Sequence, residues 1–249
     1  MSASSPASPS NAAPARAAWP PGPHEPRLAP GAVHVWRAEL TGSEEELAAA
    51  LSAEERERAQ GLAGERERAR WRRSREVLRG LLGRYLAIEP AAVELRAGAD
   101  AKPELAAPEP DGRAGLFFNL AHSDEIALYA FTTSAPIGID VQLERDREPA
   151  SHSDRVALAR RVWGEPAAQR LAALAPDARE REFLRIWTRF EADCKRTGEG
   201  IGAGVARARR AVTAAERSPW IEELDVAPRA AAAVACELAP RELSRFDWR

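Results

Sequence analysis

Apolar and polar residues alternate from Val33 to Leu40, and this two-residue period predicts a half-buried β-strand. The pattern becomes helical from Glu54 to Leu86, with a break predicted near Gly61 to Gly64. Ser43 to Glu46 predicts an earlier helix start, because a capping serine is followed by acidic residues that favour a helix N-terminus. The apolar stripe of the long helical region consists of Val77, Leu78, Leu81, Leu82, Tyr85 and Leu86.

The same change between strand and helix periods occurs later in the chain. Gly98 to Gly115 contains three prolines and predicts a loop. The predicted elements after it are strands at Leu116 to Leu120, Ile126 to Thr132 and Ile137 to Val141, helical regions at Glu165 to Ala175 and Glu180 to Arg196, and a closing hairpin of Trp220 to Val226 and Ala231 to Leu238. Strands and helices therefore occur in both halves, which predicts an α+β protein made of two units.

Length and composition indicate the size of the folded part of the chain and the kind of compartment that suits it. The chain has 249 residues and a net charge of −2, so it is long enough for one large or two small domains. Residues 1–30 are rich in Ala, Pro and Ser and predict a disordered tail, because they cannot bury enough apolar surface. Cys194 and Cys236 form neither a metal motif nor a disulfide framework, which is typical of a reducing compartment.

The sequence disfavours two classes of protein, membrane proteins and nucleic-acid binders. The chain has no apolar run long enough to span a bilayer and no secretion signal, so we predict a cytoplasmic protein without membrane association. The arginine-dense stretch from Glu65 to Arg84 would suit a nucleic-acid binder. Its arginines alternate with glutamates, however, which indicates a solvated helix face, and the near-neutral net charge predicts no nucleic-acid partner.

Two carboxylates stand in contexts that suit metal and phosphate chemistry. Asp140 and Gln142 are two residues apart in a β-branched run, so both side chains leave one face of a strand. Glu191 and Lys195 are four residues apart in a helical pattern and share a helical face. Oxygen donors with a lysine beside them suit a Mg²⁺–phosphate site. The ordinary alternatives are a turn-capping aspartate, a solvated glutamine and an i,i+4 surface ion pair.

Four motifs surround these residues, in the order Ala101-Lys102-Pro103, Phe118-Asn-Leu-Ala-His-Ser123, Ile137-Gly-Ile-Asp-Val-Gln142 and Trp187 to Gly200. They resemble the 4′-phosphopantetheinyl transferases, in particular the larger surfactin-type branch. That family has Gly-Lys-Pro, Phe-Asn-(Ile/Leu)-Ser-His-Ser, (Ile/Val)-Gly-Ile-Asp-Val-Glu and Trp-(Thr/Ser)-x-Lys-Glu-(Ala/Ser)-x-x-Lys-x-x-Gly-x-Gly. The resemblance extends from about Val33 to the C-terminus.

The resemblance implies a fold of two similar α/β subdomains related by a pseudo-twofold axis, with the active site at their interface. It divides the chain into a tail at 1–30, an N-terminal subdomain at 31–136 and a C-terminal subdomain at 137–249. It assigns catalysis to Asp140, Glu191 and Lys195. Glu191, or a metal-bound water, receives the proton of the incoming hydroxyl, and Lys195 neutralises phosphate charge.

The ligand-binding residues are implied in the same way. The metal ligands are Asp140, Gln142 and Glu191, and the residues that bind coenzyme A are Arg79, Lys102, Ala121 and His122, with His122 at the 3′-phosphate. Three positions depart from the family pattern. Gln142 replaces Glu and predicts weaker metal binding, Ala121 replaces Ser and removes a hydroxyl contact, and Phe190 replaces Lys and removes one cation.

The implied function is transfer of the phosphopantetheine arm of coenzyme A to a serine of an apo carrier protein, with Mg²⁺ as cofactor and 3′,5′-ADP released. The expected partners are acyl or peptidyl carrier proteins, met by basic residues between Arg145 and Ala175. The two-unit layout favours a monomer. The three departures leave one alternative, a family member that binds coenzyme A or a carrier without turnover.

Overall fold

The computed structural model has a mixed α+β fold, as the alternation of strand and helix periods predicts. The structure describes residues 18–41, 50–98, 102–106, 115–144, 151–211 and 218–249. The helix start predicted at Ser43 to Glu46 and residues 1–17 of the predicted tail lie outside the described residues. Among the described helices, none is both long and apolar enough to cross a membrane.

The regular elements are named in chain order. The strands are β1 (Ala32–Glu39), β2 (Leu95–Ala97), β3 (Pro103–Leu105), β4 (Phe117–Ser123), β5 (Ile126–Thr132), β6 (Gly138–Leu143), β7 (Trp220–Glu223), β8 (Ala230–Cys236) and β9 (Glu242–Asp247). The α-helices are α1 (Ala53–Gln60), α2 (Glu65–Leu86), α3 (Ser151–Trp163), α4 (Glu165–Ala172), α5 (Pro176–Thr197) and α6 (Ile201–Ala211). A short 3₁₀ helix spans Pro90–Ala92.

The first sheet has the order β4-β5-β1-β9 and packs against α2. Strand β1 is antiparallel to β5 and parallel to β9, so the last strand of the chain lies beside the first. Its central strands are buried on both faces. Trp36 of β1 packs with the predicted stripe of α2, including Val77 and Leu81, whereas Val35 faces the second sheet. The stripe of α2 is thus the surface on which the first sheet rests.

The second sheet has the order β6-β8-β7 and is antiparallel throughout. One face shares an apolar cluster with the first sheet, and the other packs against α5. Small residues allow a close approach, because a Cβ atom at Gly138 would lie only 1.9 Å from the carbonyl oxygen of Ala192. This contact sets α5 directly over β6.

Residues 18–30, which fall within the predicted disordered tail, contact the rest of the protein at a few buried or half-buried positions. Trp19 is 7% exposed, and its indole nitrogen donates to the carbonyl oxygen of Asp225 at 3.1 Å. The guanidinium of Arg37 lies 4.6 Å from the centre of the Trp19 ring. Trp19, the backbone bridge between Pro21 and Asp247 and the packing of Leu28 against the core therefore anchor a segment whose composition is poor in large apolar residues.

Several predicted elements are confirmed, and several were missed. β5 has the predicted bounds, the break between α1 and α2 falls at the predicted glycines, and β7 and β8 form the predicted hairpin. The prediction of loop throughout Gly98 to Gly115 is wrong, because β3 pairs with β2 in a small hairpin. The pattern also failed to predict α3, α6 and β9.

Candidate active site

Strand alternation orients the first pair of predicted site residues. Ile139 and Val141 of β6 point into the cluster between the two sheets, so Asp140 and Gln142 leave the opposite face, where α5 lies. Asp140 is only 2% exposed. Its register neighbour on β8 is Ala233, whose small side chain leaves room for the carboxylate.

Two side chains of the neighbouring strand β4 fix the position of β6. The amide oxygen of Asn119 accepts a hydrogen bond from the backbone nitrogen of Ile139 at 2.8 Å, and the hydroxyl of Ser123 accepts one from Leu143 at 3.1 Å. Both residues belong to the Phe-Asn-Leu-Ala-His-Ser motif, but their structural role was not predicted from the sequence. Their hydrogen bonds join the first sheet to the strand that carries Asp140.

The four side chains predicted to share a site lie together. Lys195 Nζ donates to Asp140 Oδ1 at 2.6 Å. The amide nitrogen of Gln142 lies 3.3 Å from Asp140 Oδ2 and 3.4 Å from Glu191 Oε2, so it donates to both carboxylates. The i,i+4 spacing of Glu191 and Lys195 directs both toward β6, so they do not form only the surface pair of the alternative interpretation.

The charge of this cluster is not balanced. Burial and, next, the negative charge of Asp140 raise the pKa of Glu191 to about 7, against the opposing effect of the Lys195 ammonium. Two carboxylates with one ammonium and one amide therefore form a site that gains from an added cation. Among the described residues, no group of three or more His, Cys, Asp or Glu side chains could hold a metal ion.

A cavity of about 610 Å³ opens beside the cluster. Cationic or titratable side chains on one part of its wall are Arg75, Lys102, His122 and Lys195. Ala121 and Leu120 of β4 also line it, as do Cys194, Glu199 and Ile201 from the end of α5 and the start of α6. Glu191 faces this space, so the acidic cluster and the basic wall share one cavity.

Burial lowers the pKa of both Lys102 and His122. Lys102 Nζ donates to the carbonyl oxygens of Lys195 at 3.1 Å and Ile137 at 3.3 Å, and its pKa is lowered, first by burial. The pKa of His122 is also lowered, first by desolvation and then by the charges of Lys195 and Arg75. Both groups would gain a favourable partner from a bound anion.

Arg79, one of the four predicted coenzyme A residues, does not line this cavity. Its guanidinium is buried, with Nε 2.6 Å from Glu55 Oε2 and Nη1 donating to the carbonyl oxygens of Pro90 and Val93. Arg75, one helical turn earlier, reaches the cavity wall instead. The Nε of Arg75 is buried without a hydrogen-bond partner among the described residues. The i,i+4 spacing places Arg75 on the same helical face as Arg79, so the sequence alone could have indicated Arg75 as a second candidate.

Phe190, which stands where the resembling family has lysine, is buried against α3 and α6. Its ring packs with Val162 and Cys194 and lies 5.9 Å from the ring of Trp163. The neighbouring Arg189 does not replace the missing cation, because it pairs with Glu223 at 3.2 Å, away from the cluster. The position therefore contributes to packing and adds no charge to the cavity.

Comparison with known proteins gives relatives of one kind, although no protein-family model matches the chain. The 4′-phosphopantetheinyl transferase HetI of Nostoc sp. is 36% identical over 186 residues, which cover 74% of this chain and 76% of the relative. A phosphopantetheinyl transferase of Thraustochytrium sp. is 29% identical, over 72% of this chain and 65% of the relative. A 4′-phosphopantetheinyl transferase of Bacillus subtilis is 26% identical, over 68% of this chain and 70% of the relative. The shared identity and coverage, together with the cluster around Asp140, mean that the chain belongs to the 4′-phosphopantetheinyl transferases, a family of enzymes.

Proposed function

We propose that this protein transfers the 4′-phosphopantetheine arm of coenzyme A to a serine hydroxyl of an apo carrier protein and releases 3′,5′-ADP. The observation that carries the proposal is the meeting of Asp140, Glu191 and Lys195 beside a cavity with a basic wall. Phosphoryl transfer needs positioning and charge neutralisation more than covalent chemistry, and these residues supply both. The names of the relatives support the same activity.

The residues present fit a magnesium ion. Asp140, Glu191 and the amide oxygen of Gln142 are hard oxygen donors of the type that Mg²⁺ prefers. The pKa of Glu191 is raised first by burial and then by the charge of Asp140, and a divalent cation would stabilise the charged form that both effects disfavour. Rotation of the Gln142 amide by half a turn would present its oxygen in place of the nitrogen that now contacts the carboxylates. When bound, Mg²⁺ would neutralise part of the diphosphate charge.

Glu191 is the proposed general base. In the metal-free protein burial and then the charge of Asp140 raise its pKa to about 7, and the charge of Mg²⁺ would lower that pKa, so that Glu191 would be ionised and able to accept a proton at neutral pH. As the serine oxygen bonds to the β-phosphorus of coenzyme A, the proton of the serine hydroxyl passes to Glu191. The bond from that phosphorus to the bridging oxygen breaks, and 3′,5′-ADP leaves. Lys195, placed beside Asp140, stabilises the charge on the departing phosphate.

We assign the phosphates of coenzyme A to the basic part of the cavity wall. Lys102 and His122 keep the roles implied by the sequence resemblance. Arg75 takes the role that the resemblance gave to Arg79, because Arg75 lines the cavity whereas Arg79 is paired with Glu55 outside it. Ala121 contributes only its backbone and methyl group to this wall.

The carrier partner is proposed to dock beside the cavity on the basic segment between residues 145 and 175, of which 145–150 lie outside the described residues. Two of its arginines are already neutralised. Arg155 pairs with Glu180 at 3.0 Å and Arg160 with Glu165 at 2.6 Å. Arg161 and Arg170 are exposed and are therefore the better candidates for contact with an acidic carrier helix.

We also propose membership of the surfactin-type branch, with subdomains at 31–136 and 137–249 related by a pseudo-twofold axis. In support, each of the two main sheets is covered by one 22-residue helix, α2 on the first and α5 on the second. A monomer is sufficient for the proposed activity, because one chain supplies both the carboxylate cluster and the basic wall.

Binding of coenzyme A without turnover is a second candidate, favoured by the apolar burial of Phe190 at a position where the resembling family has a cation. Incubation of the protein with coenzyme A, Mg²⁺ and a panel of apo carrier proteins, followed by mass spectrometry, separates the two. The proposed activity predicts that a carrier gains the mass of the phosphopantetheine arm, and that Asp140→Asn prevents the gain. Binding of coenzyme A with no mass gain on any carrier would support the second candidate.

A further inference from the structure

The turn between α5 and α6 forms one part of the wall of the 610 Å³ cavity. Gly198 ends α5 in the left-handed conformation, at φ +72°, and the backbone nitrogen of Glu199 donates to the carbonyl oxygen of Cys194 at 3.1 Å. Gly198, Glu199 and Gly200 all face the cavity, followed by Ile201 at the start of α6. Two glycines in succession around one residue give this wall little rigidity of its own.

Arg207 of α6 supplies the rigidity that the turn lacks. Its Nε donates to Glu199 Oε2 at 2.9 Å, and its Nη1 lies 2.5 Å from Asp193 Oδ2. Asp193 is in turn paired with Arg196 at 2.8 Å, so the C-terminal turn of α5 is held from two sides. Arg207 does not line the cavity among the described residues, and it therefore acts on the cavity only through Glu199 and the turn.

The packing of α6 against α5 fixes the position from which Arg207 reaches Glu199 and Asp193. A Cβ atom at Gly204 would lie 2.2 Å from the sulfur of Cys194, so the two helices are in close contact at that point. Val205 and Ala208 of α6 pack against Phe190. Because these contacts fix α6 relative to α5, the backbone of Arg207 is held at a constant distance from the turn that carries Glu199.

The wall formed by the turn differs in charge from the rest of the cavity. Arg75, Lys102 and His122 suit the phosphates, whereas Glu199, a carboxylate already paired with Arg207, offers a phosphate no favourable partner. The pantetheine part of coenzyme A is neutral and carries amide and hydroxyl donors, which a carboxylate can accept. We propose that Arg207 is a positioning residue that holds Glu199 and the Gly198–Gly200 turn as the wall along which the pantetheine arm lies.

This inference rests on the proposed function and is tested by equilibrium binding of two ligands, coenzyme A and 3′,5′-ADP, which lacks the arm. Calorimetry on the full chain should show that Arg207→Ala raises the Kd for coenzyme A about tenfold and that for 3′,5′-ADP less than twofold. Arg207→Lys, which keeps the charge but not the two-pronged geometry, should give an intermediate loss.

Arg209→Ala is the matched control, since Arg209 lies on the same helix and donates to the carbonyl oxygen of Arg161, far from the turn. It should leave both affinities unchanged. Glu199→Gln does not disturb the pairing of Asp193 with Arg196, so it should fold even where Arg207→Ala does not. It should reproduce the selective loss, and adding Arg207→Ala to it should cost little more.

An equal loss of affinity for both ligands in Arg207→Ala, or a normal affinity for coenzyme A in Glu199→Gln, would overturn the inference while leaving the proposed function intact. Failure of the unaltered protein to bind coenzyme A would overturn both. The two failures are therefore distinguishable.

Discussion

Replacement of Glu191 by Gln in the metal-free protein should raise the free energy of unfolding, although it removes the proposed base. Burial and the charge of Asp140 raise the pKa of Glu191 from 4.5 to about 7 in the folded state. At about 1.36 kcal/mol per pKa unit, ionising this carboxyl in the folded protein costs about 3 kcal/mol. An amide of the same shape does not ionise and avoids most of that cost.

The sign of the pH dependence follows from proton binding. Between pH 4.5 and about 7 the folded state binds more protons at Glu191 than the unfolded state, so this group lowers the stability as the pH rises through that window. The unaltered protein therefore carries no penalty at pH 4 and nearly the full penalty above pH 8. We expect Glu191→Gln to gain about 2 kcal/mol of stability at pH 8.5 and close to none at pH 4.

Urea unfolding at the two pH values in the presence of a chelator measures these differences. Glu182→Gln is the matched control on the same helix. Hydrogen bonds from Arg185 lower the pKa of Glu182, so its removal should bring no gain at pH 8.5. Excess Mg²⁺ should stabilise the unaltered protein and narrow the gap to Glu191→Gln. A variant no more stable than the unaltered protein at pH 8.5 would refute the reasoning.

Five other substitutions test separate parts of the structure. Lys195→Ala should lower kcat about a hundredfold with little change in the KM for the carrier, and an unchanged kcat would contradict its role. Gln142→Glu should lower the Tm of the metal-free protein at pH 8, because it adds a third buried carboxylate. It should also reduce the Mg²⁺ concentration needed for half-maximal activity, and an unchanged or higher Mg²⁺ requirement would contradict the metal site. Arg75→Ala should raise the KM for coenzyme A about tenfold and leave the Tm unchanged. Arg79→Ala leaves the carboxylate of Glu55 without its ion-pair partner, and it should lower the free energy of unfolding by about 3 kcal/mol. Trp19→Ala should cost about 3 kcal/mol in calorimetric unfolding, and a loss below 0.5 kcal/mol would show that the segment before β1 contributes little.

The sequence predicts those elements whose apolar period is set by a large buried face. The stripe of α2 and the run of β5 lie against the main core, so their patterns are continuous. Helix α6, by contrast, contains Gly202 and Gly204, which weaken its local helix signal. It is stabilised by contacts with α5, and such tertiary contacts leave little trace in a single sequence. Strand β9 is polar because it lies at a sheet edge.

The candidate site was predictable only in parts. Local periodicity places Asp140 beside Gln142 and Glu191 beside Lys195, but it does not bring the two pairs together; the family resemblance supplied that expectation. Arg75 could not be separated from Arg79 by spacing, since both lie on one helical face. Which of them reaches the cavity depends on Glu55, at the start of another helix, and on two carbonyl groups around the 3₁₀ helix.

The parallel pairing of β9 with β1 also has a consequence for biosynthesis. On the ribosome, β1 emerges more than two hundred residues before its neighbour, because β1 ends at Glu39 and β9 begins at Glu242. Until residues 242–247 have been translated, the nascent chain presents an apolar strand with one unpaired backbone edge, a kind of surface that favours aggregation. Premature termination before residue 242 would therefore yield a polypeptide that depends on chaperones.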